Sequence, residues 1–161
     1  MRSEAEVCAA IDRYGDMVAR LCAVYLKNSP ETEDVFQRVF LKYTLSTKVF
    51  ESPEQEKAWL LRVAANCCKD TLKSFFRRRT VSLEEQRDLP SAGIPEDRIM
   101  LREALNSLPR KYREVIYLHF YEGYTAVQIG QILGRNPNTV YTHLNRAKEM
   151  LKKKLGGAEN G

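Results

Sequence analysis

The sequence is poor in the residues that most often carry chemistry: its 161 residues include two histidines, four cysteines and one tryptophan. Cys8 and Cys22 lie fourteen residues apart, Cys67 and Cys68 are adjacent, and no Cys-x-x-Cys spacing occurs. His119 and His143 stand far along the chain from all four. This pattern argues against a zinc site or a disulfide framework and leaves the cysteines as small buried thiols. A glycine-rich phosphate loop and a carboxylate dyad are also missing, so no cofactor, metal or catalytic group is expected. Cys67 or Cys68 could serve as a nucleophile only with a paired base, and none is identifiable. No apolar run is long enough to span a bilayer, so membrane insertion is not expected. The opening MRSEAEVCAA lacks the charged-then-apolar build of a signal peptide, which points to a cytoplasmic location.

What the chain does have is charge in blocks. Residues 1–79 carry 14 Lys/Arg against 11 Asp/Glu, residues 80–97 carry 1 against 5, and residues 98–161 carry 11 against 5. Two basic blocks flank an acidic bridge, and the net charge of +5 favours an anionic partner. The bridge, TVSLEEQRDLPSAGIPED, has two prolines, one glycine and no sustained period, so it reads as a flexible linker.

The most structured stretch is Tyr124 to Lys148. Thr125 followed by Gln128 makes a capping box, and Val127, Ile129, Ile132 and Leu133 supply an apolar face. Gly134 suits a left-handed helix end. Asn136 and Pro137 then start a second helix as cap and first residue. Its apolar positions are Val140, Leu144, Ala147 and Leu151, and its other face offers Asn138, Tyr141, Thr142, Asn145 and Arg146. That is the layout of a helix-turn-helix, whose second helix can enter the major groove of DNA. An ordinary helical hairpin has the same turn. Lys148, Lys152, Lys153 and Lys154 extend a basic strip that supports nucleic acid, though cations also suit a helix C-terminus. Upstream, Ile99, Leu101, Leu105 and Leu108 precede a helix begun by Pro109 and bearing Tyr112, Val115, Ile116, His119 and Phe120. His119, on that apolar face, reads as a hydrogen-bonded core residue, while His143 can meet either DNA or water.

The first block is a helical bundle without strand-type alternation. Residues 4–27 present Val7, Ile11, Tyr14, Val18, Leu21, Cys22 and Tyr25 on one face. Ser29-Pro30-Glu31 starts a helix with the stripe Val35, Phe36, Val39, Phe40 and Tyr43, and Ser52-Pro53-Glu54-Gln55 starts another. This third helix runs from Ala58 through Asn66-Cys67-Cys68-Lys69-Asp70 to Phe75 and Phe76, and ends in Arg77-Arg78-Arg79. Trp59, Asn66, Lys69, Lys73 and the arginines combine ring, amide and cation, a mixture suited to single-stranded DNA. Phe75 and Phe76 read as core; Trp59 fits a core or a stacking role equally.

Both blocks together resemble a sigma factor of bacterial RNA polymerase, in the extracytoplasmic-function subgroup of the sigma-70 family, over roughly residues 7–79 and 98–155. The resemblance is carried in the first block by Asp34-Val35-Phe36-Gln37-Arg38-Val39-Phe40 and by Ala58-Trp59-Leu60-Leu61-Arg62-Val63-Ala64-Ala65-Asn66. In the second it runs from Leu105, Leu108-Pro109 and Arg113 through Ile129-Gly130 and Gly134 to Thr139-Val140 and Arg146-Ala147. It implies an all-α chain of two small helical domains: residues 1–79 for core polymerase and the −10 element, and 98–155 for the −35 element. The linker 80–97 joins them and 156–161 is a disordered tail. It further implies core polymerase contacts at Asp34, Gln37, Arg38 and Phe40. Contacts with the melted −10 element fall at Trp59, Arg62, Asn66, Lys69, Lys73, Arg77 and Arg78. A flipped base is placed near Asn66, at the end of the Trp59 helix, in a pocket made with a loop around Cys67 to Lys73. Contacts with the −35 element fall at Asn138, Thr139, Tyr141, Thr142, Asn145 and Arg146. Implied partners are core RNA polymerase, promoter DNA and an anti-sigma protein. The chain departs from the family at Arg38, where an acid is usual, and at Gln128-Ile129-Gly130 in place of Glu-Ile-Ala. The alternative is a stand-alone helix-turn-helix regulator that needs no polymerase.

Overall fold

The computed structural model of the chain describes residues 1–27, 29–77 and 99–160, and every regular element among them is helical. They form two compact units, one on each side of residues 78–98. Arg78, Arg79 and the linker 80–97 lie outside the described residues.

The first unit is a bundle of α1 (Glu4–Leu26), α2 (Glu31–Leu45) and α3 (Pro53–Arg77), each packed on the other two. Ser3 caps α1 by accepting from the Glu6 N–H, with Glu4 and Glu6 matching the positive end of the helix. α2 departs from the expected start. Ser29 contributes its backbone carbonyl, to Thr32 N–H at 3.2 Å, and Pro30 already has helical angles, φ −60° and ψ −23°. At α3, Ser52 Oγ accepts from Gln55 N–H (3.1 Å), but Gln55 Oε1 accepts from Glu51 N–H (2.6 Å), one residue ahead of a true capping box. Between the three helices Val18, Leu21, Cys22, Val35, Val39, Leu60, Leu61, Ala64 and Cys68 are wholly buried. Ile11, expected on the inner face of α1, is instead exposed at its edge. Cys8 is also exposed; the other three cysteines are buried as expected.

The second unit gathers α4 (Ile99–Asn106), α5 (Arg110–Ile116) and α6 (Ala126–Leu133) on the long α7 (Pro137–Asn160). Buried Arg113 donates to Leu108 O at 2.9 Å and to Asn106 O at 3.5 Å, closing the open end of α4. After α5 the chain makes a π-helical turn, Tyr117–Tyr121, with Glu122 N–H donating to Tyr117 O. The wider turn shifts the faces that follow, and Phe120 emerges 61% exposed where helical spacing had placed it inward. His119 Nδ1 donates to Tyr124 O at 2.8 Å, as a hydrogen-bonded structural histidine does.

The capping box of α6 is complete, Thr125 and Gln128 each accepting the other's N–H. Gly134 ends α6 at φ 68°, and Asn136 Oδ1 accepts from Asn138 N–H at 2.8 Å to start α7. Val127, expected on the inner face, is largely exposed, while Ile129, Ile132 and Leu133 are buried. Gly130 is where the tight turn folds back. Arg135 N–H donates to Gly130 O, and a Cβ at Gly130 would sit 2.5 Å from Arg135 O. The glycine that departs from the family pattern is thus required by this turn. α7 is helical from Pro137 to Asn160.

Candidate nucleic-acid interface

Two helix faces hold most of the expected contact residues. On α7 the side chains of Val140, Leu144 and Ala147 are buried. Asn138, Thr139, Tyr141, Thr142, Asn145 and Arg146 are all exposed, on the side of the helix turned away from that core. Tyr141 is 53% exposed, an amphipathic ring presented outward with no core to fill. Thr142 Oγ1 donates to Asn138 O (3.0 Å), which keeps its acceptor lone pairs outward. Lys148, Lys152, Lys153 and Lys154 continue exposed along the helix.

His143 does not belong to that face. It is half-buried, edge-on to Tyr112 at 5.5 Å and 3.4 Å from Arg135 Nη1. Desolvation first, then the cations Arg135, Lys111 and Arg146, hold its pKa below the usual value, so at neutral pH the neutral ring can accept from Arg135. Arg135 in turn forms an ion pair with Glu114, a fully buried carboxylate of α5. The pair ties the turn between α6 and α7 to α5. It went unseen in the sequence because its members are twenty-one residues apart.

On α3, Trp59, Arg62, Asn66, Lys69, Lys73 and Arg77 recur at spacings of three and four. They form a stripe about 80° wide and about 27 Å long. Arg62, Asn66, Lys73 and Arg77 are exposed, Trp59 and Lys69 half-buried, and exposed Asp70 borders the stripe. Arg78 lies outside the described residues. Trp59 leans on Phe50 (5.6 Å between centroids) and Tyr43 (6.2 Å), so it is part core and part surface. The expected pocket loop around Cys67 to Lys73 does not exist: those residues are α3 itself, and Asn66 sits in mid-helix. Cys67 and Cys68 face the core. Burial pushes the Cys67 thiol pKa up, and for Cys68 a hydrogen bond with Cys22 adds to burial, which disfavours the nucleophilic thiolate. The loop that meets the Trp59 end of the stripe is 46–52, between α2 and α3.

The residues expected to contact polymerase divide. Asp34 and Gln37 are exposed on α2, but Phe40 is 4% exposed and packs on Phe36 and Tyr43. It belongs to the core. Arg38 Nη1 donates to Thr71 Oγ1 at 3.1 Å, so the atypical cation links α2 to α3. Leu41 and Leu45, 57% and 59% exposed, extend the Asp34–Gln37 face and were missed. Their signal was available as apolar residues outside the stripe. Among the described residues no group of three or more His, Cys, Asp or Glu could hold a metal, and no helix is long and apolar enough to cross a membrane.

Comparison with known proteins accounts for both units. Residues 10–80 match the family described as sigma-70 region 2, and residues 98–151 the one described as sigma-70, region 4. The chain is 32% identical to the RNA polymerase sigma factor SigV of Bacillus subtilis over 139 residues, 84% of this chain and 82% of the relative. It is 29% identical to the ECF RNA polymerase sigma factor SigW of the same organism over 161 residues, covering 90% and 86%. Among solved structures, the sigma factor RpoE of Bartonella quintana, crystallised with the anti-sigma factor NepR, is similar with a TM-score of 0.79. That match has 21% identity and covers 94% of this chain and 97% of the other. CnrH, solved with the cytosolic domain of CnrY, has a TM-score of 0.66 at 22% identity, covering 96% and 90%. The chain belongs to the sigma-70 family of RNA polymerase sigma factors, in its extracytoplasmic-function subgroup.

Proposed function

We propose that this sigma factor, which directs promoter-specific initiation by core RNA polymerase, divides its work among three helix faces. The exposed face of α7 reads the −35 element. The α3 stripe, with the loop 46–52 at its Trp59 end, takes the melted −10 strand. The α2 face of Asp34, Gln37, Leu41 and Leu45 docks on polymerase, with Phe40 and Arg38 holding that face from within. The single observation that carries this reading is the alignment of ring, amide and cations on one outward stripe of α3.

Phosphate contacts from Arg and Lys supply affinity and register, while base edges and stacked bases supply sequence. Holding two weak readers on one polymerase raises the effective concentration of each for its element. Taking a base out of the stack costs a few kcal/mol, which a contact at the stripe can offset. The reaction itself is polymerase's, so the chain carries no catalytic group, and its place of work is the cytoplasm. The structurally similar sigma factor RpoE was crystallised with the anti-sigma factor NepR, and by that likeness this chain has such a partner too. A stand-alone regulator has no use for the region 2 unit, whose match spans residues 10–80.

Two substitutions separate the roles. Asn66→Ala is expected to lower promoter opening about tenfold, roughly 1.4 kcal/mol, with core affinity unchanged. Permanganate reactivity of −10 thymines reads this, and opening equal to wild type would remove Asn66 from the site. Arg146→Ala is expected to weaken promoter binding by about 1–3 kcal/mol and to reduce the slope of log K against log salt by about one. An unchanged slope would place Arg146 away from DNA.

A further inference from the structure

We propose that Arg2 is a positioning residue for −10 recognition: it fastens the loop 46–52 over Trp59 and so shapes the surface that receives the melted strand. This rests on the reading of the Trp59 end of α3 given above. Arg2 N–H donates to Thr44 O at 2.9 Å, its Nε donates to Tyr43 O at 3.0 Å, and its Nη2 donates to Lys48 O. Two of these acceptors are carbonyls of the last turn of α2, where a positive charge is favoured, and Tyr43 O also accepts from Ser46 N–H at 3.2 Å. The third belongs to the loop.

The guanidinium also lies over two rings, 4.4 Å from the centroid of Tyr43 and 5.3 Å from that of Phe50. Those are the rings that contact Trp59. Glu6 stands 3.9 Å from Nη1 and steadies the arginine from α1. One side chain, 13% exposed, therefore joins α1, the end of α2 and the loop into the wall beside Trp59. The loop's other ties lie at its two ends, where Ser46 N–H donates to Lys42 O and Tyr43 O and Glu51 N–H donates to Gln55 Oε1. Between them Ser46 Oγ accepts from Lys48 N–H, Lys48 Nζ lies 6.0 Å from the Phe50 centroid, and Val49 is 85% exposed. A planar fork that serves carbonyls while stacking on rings is a task for arginine that lysine performs only in part. Holding the loop before DNA arrives removes an ordering cost from capture of the strand.

The chain has one tryptophan, so Trp59 reports the loop directly. In the full-length protein Arg2→Ala is expected to shift Trp59 emission to the red and to increase quenching by acrylamide; Arg2→Lys should fall between. With core polymerase, on a promoter recovered from randomised fragments, Arg2→Ala should open the −10 region about tenfold less. It should also lose most of the discrimination between the matched and a substituted −10 element. Core affinity and −35 protection should stay within about twofold. Phe50→Ala should give the same defect, and the double variant should add little to either. Opening and discrimination equal to wild type in Arg2→Ala overturn the proposal, whether or not the emission moves. A wild-type protein that opens no promoter with core overturns the −10 reading itself, and the proposal with it.

Discussion

Replacing Arg135 by alanine is expected to destabilise the second unit by about 3–5 kcal/mol, because it leaves a buried carboxylate without its counter-charge. Glu114 is fully buried on α5 and Arg135 is its ion-pair partner, from the turn of the helix-turn-helix. A domain of this size has a total stability of about 5–15 kcal/mol, so the loss is a large share of it. The damage should extend to function, since the same guanidinium touches His143 on α7. Promoter binding through the −35 element should fall in step with folding, while docking through α2 persists. Urea unfolding of the full chain, followed by circular dichroism, measures the change. Replacing both members, Glu114→Leu with Arg135→Met, should recover much of the stability, because the buried charge leaves together with its partner. A loss below about 1 kcal/mol in Arg135→Ala would mean that water reaches the carboxylate.

The second large effect separates a core residue from the proposed docking residue one position away. Phe40→Ala is expected to destabilise the first unit by about 3–5 kcal/mol, the cost of emptying a buried aromatic site. Its ring lies 5.0 Å from Phe36 and 6.4 Å from Tyr43, with 4% of the residue exposed. Leu41→Ala, at a position 57% exposed, should change stability by no more than about 0.5 kcal/mol. It should nevertheless weaken association with core polymerase by about 1–2 kcal/mol, as an apolar anchor at an interface does. Unfolding curves and titration of labelled protein with core give both quantities. A Phe40→Ala protein that is fully stable and fails to dock, beside a Leu41→Ala protein that docks normally, would restore Phe40 to the interface.

These two cases show what was legible in the sequence. Local signals were read well where the physics is local: the Thr125–Gln128 capping box, the Gly134 helix end and the Asn136–Pro137 start each depend on neighbours within four residues. The apolar stripe of α2 likewise placed Phe40 inside, and only the carry-over from the family moved it to the docking face. What could not be read depends on distance or on an altered period. The π-helical turn shifts the face after Tyr117, so a regular 3.6-residue count misplaces Phe120. A pocket loop at Cys67 to Lys73 requires a helix end at Asn66, whereas α3 runs unbroken from Pro53 to Arg77. Contacts such as Glu114 with Arg135, or Arg2 with Tyr43 and Phe50, join residues far apart in sequence and follow from packing alone.

If one chain carries two promoter readers that act together on polymerase, transcription with purified core polymerase on randomised DNA fragments, with starts mapped with and without the protein, will show it. New starts should appear that depend on the protein and share two separated elements, one near −35 and one near −10. Starts that require neither element, or tight binding to a DNA palindrome with no association with core, would contradict it.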